Sequence, residues 1–188
     1  TVDFGFRAPS GVDYGDWNGS GAATASTTST TNNNLRLGDS VDAETSVTPN
    51  ATATADGADE DGVTMPSAIT QSSLVTIPVS VRNNTGANAY LHSWIDFNND
   101  GTFNDALVTS GGERLEAART ITSSGAAQSL NVSFTVPLGA SMGTQRGVRF
   151  RVTTLASTTP IGSSGSGEVE DYVVRICPVM SVCPAVSY

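Results

Sequence analysis

One stretch of the chain has the residue types and spacing of a calcium-binding loop. Asp96, Asn98 and Asp100 occupy alternate positions, Gly101 follows, and Thr102 offers a backbone carbonyl. Calcium takes about six to eight oxygen ligands, and alternate residues of a tight turn can aim their oxygens at one point. Glycine permits the sharp bend that such a turn needs. The spacing therefore predicts a calcium site on this loop.

The loop lacks the carboxylate that usually completes a site of this kind. Leu107 stands where a bidentate Glu is expected. Asn104, Asp105 or the more distant Glu113 must therefore complete the coordination shell. Clusters of Asp, Asn and Gly also form ordinary hairpin turns, so a turn without metal is the alternative. We favour calcium, Ca2+, as the cofactor.

The loop follows a segment, residues 90–97, that alternates as a strand does. Leu91 and Ile95 point to one face and His92 and Trp94 to the other. Similar short alternations recur at residues 75–81, 130–136, 148–152 and 172–176, with turn residues between them. This spacing predicts an all-β fold, an antiparallel β-sandwich of jelly-roll or immunoglobulin-like type with long N-terminal loops.

Three segments need a separate interpretation. Pro78 falls on an outward position of its strand and predicts an edge strand. Residues 114–121 can form a strand or a short irregular piece. Residues 20–34 are a low-complexity Ser/Thr/Asn tract that cannot bury enough apolar surface to order itself. We expect an exposed loop there, and the alternative is a flat strand ordered by a neighbouring molecule.

Composition limits the classes of partner. The 188 residues fit one domain, the net charge is -9, and every one of the nine cations is arginine. Such an acidic chain argues against nucleic acid and anionic membrane surfaces. No apolar run is long enough to span a bilayer, so no membrane insertion is expected. The acidity suits carboxylates that divalent ions neutralise in part.

Five motifs carry a family resemblance. They are residues 3–5 (Asp-Phe-Gly), 37–44 (Leu-Gly-Asp-Ser-Val-Asp-Ala-Glu), 59–63 (Asp-Glu-Asp-Gly-Val), 94–101 (Trp-Ile-Asp-Phe-Asn-Asn-Asp-Gly) and 167–171 (Gly-Glu-Val-Glu-Asp). With these motifs in this order, the chain resembles the GEVED domain of bacterial secreted and surface proteins. The resemblance implies a β-rich, secreted or cell-surface module of adhesin-like or fibrous proteins, with no established catalytic activity.

The expected domain plan is simple. A single GEVED-like domain covers residues 1–176, with a loop-rich, acidic part at 1–62 and the main strands at 63–176. Residues 177–188 form a C-terminal disulfide loop and a tail or linker. Cys177 and Cys183 are predicted to bond to each other, because their spacing is short and the chain looks extracellular. Bridges to another subunit and free thiols are the alternatives.

A second group of acidic residues has two open interpretations. Its members are Asp42, Asp59, Asp61, Glu168, Glu170 and Asp171. Carboxylates that converge at strand ends need a cation, so the group can hold a second metal ion. Alternatively, Arg149 and Arg151 on the predicted neighbouring strand form cross-strand ion pairs with the group.

Little in the chain suggests catalysis. His92 is the only histidine, and no motif places a Ser or Cys nucleophile beside it. One histidine and two cysteines do not make a zinc site. Four aromatic residues, Tyr14, Trp17, Tyr90 and Trp94, can form a sugar-stacking platform, although core packing is the commoner fate of such side chains. We expect no enzyme.

Two functions from different classes remain. The first is a calcium-stabilised structural or adhesion module outside the cell, and the self-assembling subunit of a surface fibre is its extended form. Its partners are other copies of the chain or neighbouring domains of a surface protein. The second is a carbohydrate-binding module, with glycans as partners, that serves a secreted enzyme.

Overall fold

The computed structural model describes residues 11–19, 23–27, 34–41, 46, 48–55 and 60–179. These residues form strands almost throughout, with one short 3-10 helix at Val108–Ser110. The strands are β1 (Gly11–Tyr14), β2 (Ala23–Thr27), β3 (Leu35–Leu37), β4 (Ala68–Thr70), β5 (Leu74–Asn83), β6 (Ala89–Ile95), β7 (Arg114–Ile121), β8 (Ala127–Thr135), β9 (Gly143–Thr153) and β10 (Gly162–Cys177). The expected all-β class is confirmed. No described helix has the length and apolarity that crossing a membrane requires.

The strands form two sheets. The larger has seven strands in the order β1-β2-β10-β9-β6-β7, and β4 also pairs with β10. The smaller has three strands in the order β3-β5-β8. Most pairings are antiparallel as predicted, but β2 and β4 run parallel to β10. Both reach β10 through long connections rather than hairpins, so no tight turn imposes an antiparallel direction on them.

The two sheets share one apolar core. Ile77 and Val132 of the small sheet belong to the same buried cluster as Leu91 and Phe150 of the large sheet. The predicted inward residues of β9, which are Val148, Phe150 and Val152, have no exposed surface. The period-2 patterns therefore identified the buried face correctly. β6 is covered on both faces, because His92 and Trp94 are also fully buried.

The prediction of an edge strand at Pro78 is wrong. Pro78 is exposed, but β5 lies between β3 and β8. The Pro78 carbonyl accepts the Thr64 N–H at 2.9 Å. In an extended strand, the nitrogen of a residue points to the same side as the carbonyl of that residue. The missing N–H of Pro78 therefore faces residues 62–64 and not the ladder with β8.

The Ser/Thr/Asn tract contains a strand. β2 pairs with β1 on one side and with β10 on the other. The expected loop is therefore wrong for residues 23–27, and the ordering partner is this chain's own sheet. Residues 20–22 and 28–33 of the tract lie outside the described residues. Sequence could not reveal this strand, because its order comes from backbone bonds on both sides and not from an apolar face.

Candidate functional site

The predicted calcium loop begins where β6 ends. Asp96 is 1% exposed, and its own N–H donates to the Gly147 carbonyl at 3.0 Å. Its carboxylate accepts the N–H of Asn99 at 2.6 Å and that of Gly101 at 3.1 Å. Asn99 and Gly101 both have positive φ, at 60° and 79°. The Asp96 side chain therefore shapes a tight turn that needs these two left-handed residues.

The next two oxygen-bearing side chains lie on the solvent side of the loop. Asn98 Oδ1 accepts the Asp100 N–H at 2.7 Å, and Asn98 Nδ2 donates to Asp100 Oδ2 at 2.9 Å. The hydroxyl and N–H of Thr102 donate to Asp100 Oδ1 at 2.7 and 2.8 Å. These Thr102 hydrogen bonds lower the pKa of Asp100, which therefore favours the charged form.

Glu113 is brought to this loop by the pairing of β6 with the segment before β7. The Ile95 N–H donates to the Glu113 carbonyl at 3.0 Å. The Glu113 side chain is buried, and it accepts the N–H of Asn98 at 3.1 Å and that of Asn104 at 2.7 Å. A cavity of about 250 Å³ is lined by these three residues together with apolar neighbours.

The two buried carboxylates beside the loop, those of Asp96 and Glu113, have raised pKa values. Burial raises the pKa of Asp96 and of Glu113, and the negative charge of Asp100 adds to both shifts. In the described ranges, neither Asp96 nor Glu113 forms an ion pair. Each carboxylate oxygen has a second lone pair, so its N–H contacts leave room for a cation.

The candidate ligands differ in availability. Asn104 Oδ1 accepts the Ala106 N–H at 2.9 Å. Asp105 is drawn away from the loop, because it pairs with Arg114 at 3.1 Å and accepts the Trp94 indole N–H at 3.1 Å. Within the part of the chain that the structure describes, no three His, Cys, Asp or Glu side chains are grouped closely enough to hold a metal. Amide and carbonyl oxygens would have to supply much of the shell.

The second acidic group lies at an interruption in the large sheet. On one edge of β10, β2 pairs with residues 162–166 and β4 with residues 175–177. Between them, the N–H groups of Val169 and Asp171 donate to carboxylates rather than to a strand. Val169 donates to Asp13 Oδ2 at 2.5 Å, and Asp171 donates to Glu60 Oε1 at 3.1 Å. Side chains therefore replace a missing strand over this gap.

Glu168 and Glu170 point the other way, toward the small sheet. Their register places them beside Val152 and Phe150 on the core face of the large sheet, and each is 1% exposed. Glu168 Oε2 accepts the N–H of Leu37 in β3. Glu170 Oε1 accepts the N–H of Gly62 at 2.8 Å and that of Asp61 at 3.1 Å. The two carboxylates therefore tie the edge of the small sheet to the large one.

Asp61 provides another link among the family motifs. Its carboxylate accepts the Asp39 N–H at 2.9 Å and the Ser40 hydroxyl at 2.8 Å. Gly38 has φ 54° and lies so close that a Cβ there would be 1.6 Å from Asp61 Oδ1. Only glycine fits this turn. We call the set Asp13, Glu60, Asp61, Glu168, Glu170 and Asp171 the carboxylate junction.

Arg149 and Asp171 form a buried ion pair at the junction. Arg149 Nε and Nη2 donate to the two oxygens of Asp171 at 2.7 Å each, and both side chains are fully buried. Asp171 Oδ2 also accepts the Trp17 N–H at 2.9 Å. Arg151 instead donates to backbone carbonyls, among them those of Thr159 and Gly162. Burial and the neighbouring Arg149 lower the pKa of Arg151 to about 10.

The buried carboxylates of the junction repel one another. Burial raises the pKa of Glu170 to about 8, although N–H donors oppose the shift. Burial and the charge of Glu170 raise the pKa of Glu60. Tyr172 donates its hydroxyl to Glu170 Oε2 at 3.0 Å. At neutral pH, part of this negative charge is therefore expected to be neutralised by protons or by a cation.

The remaining predicted residues are the two cysteines, two further acids and the aromatic side chains. Asp42, Asp59 and Cys183 lie outside the described residues. Cys177 is buried at the end of β10, and its predicted bond to Cys183 stays a prediction. The suggested sugar-stacking platform is wrong for Trp17 and Trp94, because both are buried in a small apolar cluster.

Sequence reasoning missed two members of the junction, Asp13 and Glu60. Glu60 lies inside the 59–63 motif, and Asp13 is a buried residue of β1. Their signal was weak, because acidic side chains are mostly exposed to solvent. In the structure they meet the N–H groups of Val169 and Asp171 along the gap in β10.

The described part of the chain is thus an all-β structure in which buried carboxylates connect two sheets. The model of the GEVED domain family matches residues 90–175. This stretch contains the loop after β6, Glu113 and the 167–171 motif, so the resemblance is confirmed over this part of the chain. No curated protein matches the chain.

Proposed function

We propose that the chain is a non-enzymatic structural or adhesion module that calcium stabilises outside the cell. In this proposal its two sheets form a β-sandwich of the jelly-roll or immunoglobulin-like type. The observation that carries the proposal is the pair of buried carboxylates, Asp96 and Glu113, which lack an ion-pair partner in the described residues. The cavity of about 250 Å³ beside Glu113 offers room for an ion.

Calcium explains this burial physically. An uncompensated buried carboxylate is costly, and a divalent cation offsets that cost while accepting oxygens of several kinds. Asn98, Asp100 and the Thr102 carbonyl can add oxygens from the solvent side, and Asn104 can add one beside Glu113. The ion would then hold the β6 end and the segment before β7 together.

The carboxylate junction supports a structural role rather than catalysis. Glu168 and Glu170 accept backbone N–H groups, and Asp171 binds Arg149 with both oxygens. Groups engaged in this way hold the sheets together and are poorly placed to exchange protons with a substrate. A second metal ion at the junction also stays a proposal, and Asp171 is the member least suited to it, because Arg149 already occupies both of its oxygens.

The location and partners follow from the family resemblance, which favours a secreted or surface protein. Other copies of the chain or neighbouring domains would then be the partners. β2 is already used inside its own sheet, so residues 177–188 remain the candidate for strand addition to a second copy. Deleting residues 184–188 should abolish assembly in light scattering, whereas full-length protein that stays monomeric at high concentration would rule out self-assembly.

A carbohydrate-binding module is the second candidate, and one cleft favours it. The cleft has a volume of about 430 Å³ and is lined by hydroxyl and amide side chains, including Thr52, Thr144 and Gln145, over Val173. Gln145 has φ 62°, an uncommon value for a residue with a side chain. A glycan array with wild type and Gln145→Ala tests this candidate, and equal binding by both would remove the cleft as the site.

The calcium proposal is tested by thermal unfolding with calcium and with a chelator. With a Kd of about 0.1 mM, as in weak extracellular sites, about 10 mM calcium adds about 2.7 kcal/mol. The Tm should then rise by roughly 5–10 °C for a chain of this size. Asp100→Ala should lose most of this rise, while Asp39→Asn, an exposed acid outside the loop, should keep it. Equal melting temperatures in both solutions would contradict the proposal.

A further inference from the structure

The single histidine is buried on the face of the large sheet that points away from the shared core. His92 lies on β6 opposite Arg151 of β9, and it has no exposed surface. Its ring stacks on Trp94, with the centroids 6.1 Å apart and the planes 12° apart. No function proposed above uses this residue.

The hydrogen bonds of His92 define its protonation state. Arg114 Nη2 lies 2.5 Å from His92 Nδ1, and the Ala118 N–H donates to the same atom at 3.2 Å. Arginine and a backbone amide can only donate, so Nδ1 must accept through its lone pair. The ring is therefore neutral with its proton on Nε2, which faces the Leu155 carbonyl at 3.4 Å.

His92 holds a bend in the edge strand β7. Ala118 has φ 61°, in the left-handed region that residues with a side chain rarely adopt. The pairing of β6 with β7 shifts register between Leu91 and Ser93, next to this bend. The Ala118 N–H therefore depends on His92 and not on a regular ladder partner.

The same ring also restrains a loop through Arg114. The guanidinium of Arg114 donates to the Thr158 carbonyl at 3.4 Å and pairs with Asp105 at 3.1 Å. It also lies over the Trp94 ring at 5.2 Å. A change in the charge of His92 would therefore affect the contacts of the segments that contain Asp105, Ala118 and Thr158.

The charges that face His92 disfavour its protonation. Arg114 approaches from β7, Arg151 from β9, and Asp105 is the acid among the three. A proton on Nδ1 would point at the two donors, and the cation would sit beside two guanidinium groups. Burial and the charge of Arg114 accordingly lower the pKa of His92 to about 4.

We propose that His92 is an acid-sensitive latch: protonation of Nδ1 releases Arg114 and the Ala118 bend and loosens residues 155–158. The release is local, because the carbonyls of Thr159 and Pro160 are held by Arg151 and Arg149 without help from His92. The edge of the large sheet at β7 is therefore the part that opens first as the pH falls.

The sign and size of the effect follow from linkage. The folded pKa lies below the ordinary value of 6.5, so the stabilising effect is complete above pH 6.5 and is lost as the pH falls through about 4. A fall of the His92 pKa from 6.5 to about 4 corresponds to a roughly 300-fold rise in the unfolding constant on acidification.

The first test is an NMR titration of the wild-type protein. The chain has one histidine, so its ring signals need no assignment. We expect an Nε2–H tautomer and a pKa well below 6.5. The protection factors of the amides at residues 116–119 and 155–158, corrected for the pH dependence of intrinsic exchange, should fall on acidification, whereas those at residues 159–162 should change little. A pKa near 6.5, an Nδ1–H tautomer or an equal loss of protection in both regions would overturn the proposal.

A matched pair of variants provides the second test. His92→Asn keeps an acceptor near the position of Nδ1 but cannot be protonated, so its acid-induced rise in the unfolding constant should be smaller by up to about 300-fold. His92→Phe removes the acceptor, so residues 116–119 should exchange rapidly even at pH 7. If His92→Asn loses stability with acid as steeply as the wild type, the latch is wrong.

Discussion

Replacing Asp171 by Asn should destabilise the fold strongly. Arg149 and Asp171 are both fully buried, and each oxygen of Asp171 accepts a guanidinium N–H at 2.7 Å. Asp171 Oδ2 also accepts the Trp17 N–H. In the variant, one of these oxygens becomes an NH2 group, which faces a donor whichever way the amide turns. Arg149 cannot lose its proton to compensate.

The magnitude follows from the burial of both charges. Removing one partner of a buried ion pair costs about 3–5 kcal/mol, because the other charge is left uncompensated. For a chain of this size, such a loss lowers the Tm by roughly 6–20 °C. Replacing both residues by apolar ones of similar volume, Arg149→Met with Asp171→Leu, should cost less than either single change.

Urea unfolding monitored by tryptophan fluorescence measures this effect, since Trp17 and Trp94 are both buried. The control is Glu116→Gln, because the pair of Glu116 with Arg119 is partly exposed, at 3.5 Å. That change should cost less than about 1 kcal/mol. If Asp171→Asn costs as little as the control, with an unchanged slope against urea, the reasoning is refuted.

Three further predictions concern other parts of the chain. Cys177 and Cys183 should take up no alkylating label in native protein by intact mass, and two labels without reductant would contradict their bond. Glu170, whose pKa is raised to about 8, favours folding below pH 4.5 and loses that contribution as the pH rises through 8. Urea unfolding from pH 5 to 9 should therefore be less pH-dependent in Glu170→Gln, and identical profiles would contradict this. Gly147→Ala places a Cβ 2.3 Å from the Trp17 ring and should cost roughly 1–3 kcal/mol, which an unchanged urea midpoint would disprove.

The amino-acid sequence predicted the strands in which apolar residues alternate with polar ones and so form one apolar face. The alternations that contain Ile77, Val132 and Phe150 gave the all-β class and the buried side of each strand correctly. It could not predict β2, whose order comes from backbone bonds to β1 and β10. It did not predict β4 at all, and the long connections of β2 and β4 to β10 also leave their strand direction undetermined.

The calcium loop and the carboxylate junction differ in how much of their structure the sequence could predict. The spacing of Asp96, Asn98 and Asp100 predicts a turn rich in oxygen, and Glu113 is among the residues expected to complete a site there. The structure brings Glu113 to that turn. At the junction, the amino-acid sequence predicts that Glu168 and Glu170 bind a cation, either a metal ion or an arginine. Among their partners are the backbone N–H groups of Leu37 and Gly62, and backbone donors carry no residue-type signal.

The gap along β10 also bears on where the folded unit begins. The Val169 N–H is hydrogen-bonded to Asp13, 156 positions earlier in the chain, and the Asp171 N–H to Glu60, 111 positions earlier. A fragment cut to the matched residues 90–175 would lack these partners and also β5, which pairs with β8 along its length. The autonomous folding unit is therefore wider than the segment by which the family is recognised. During synthesis, the 167–171 motif emerges after nearly all its partners, so we expect the two sheets to close late, when the last strand arrives.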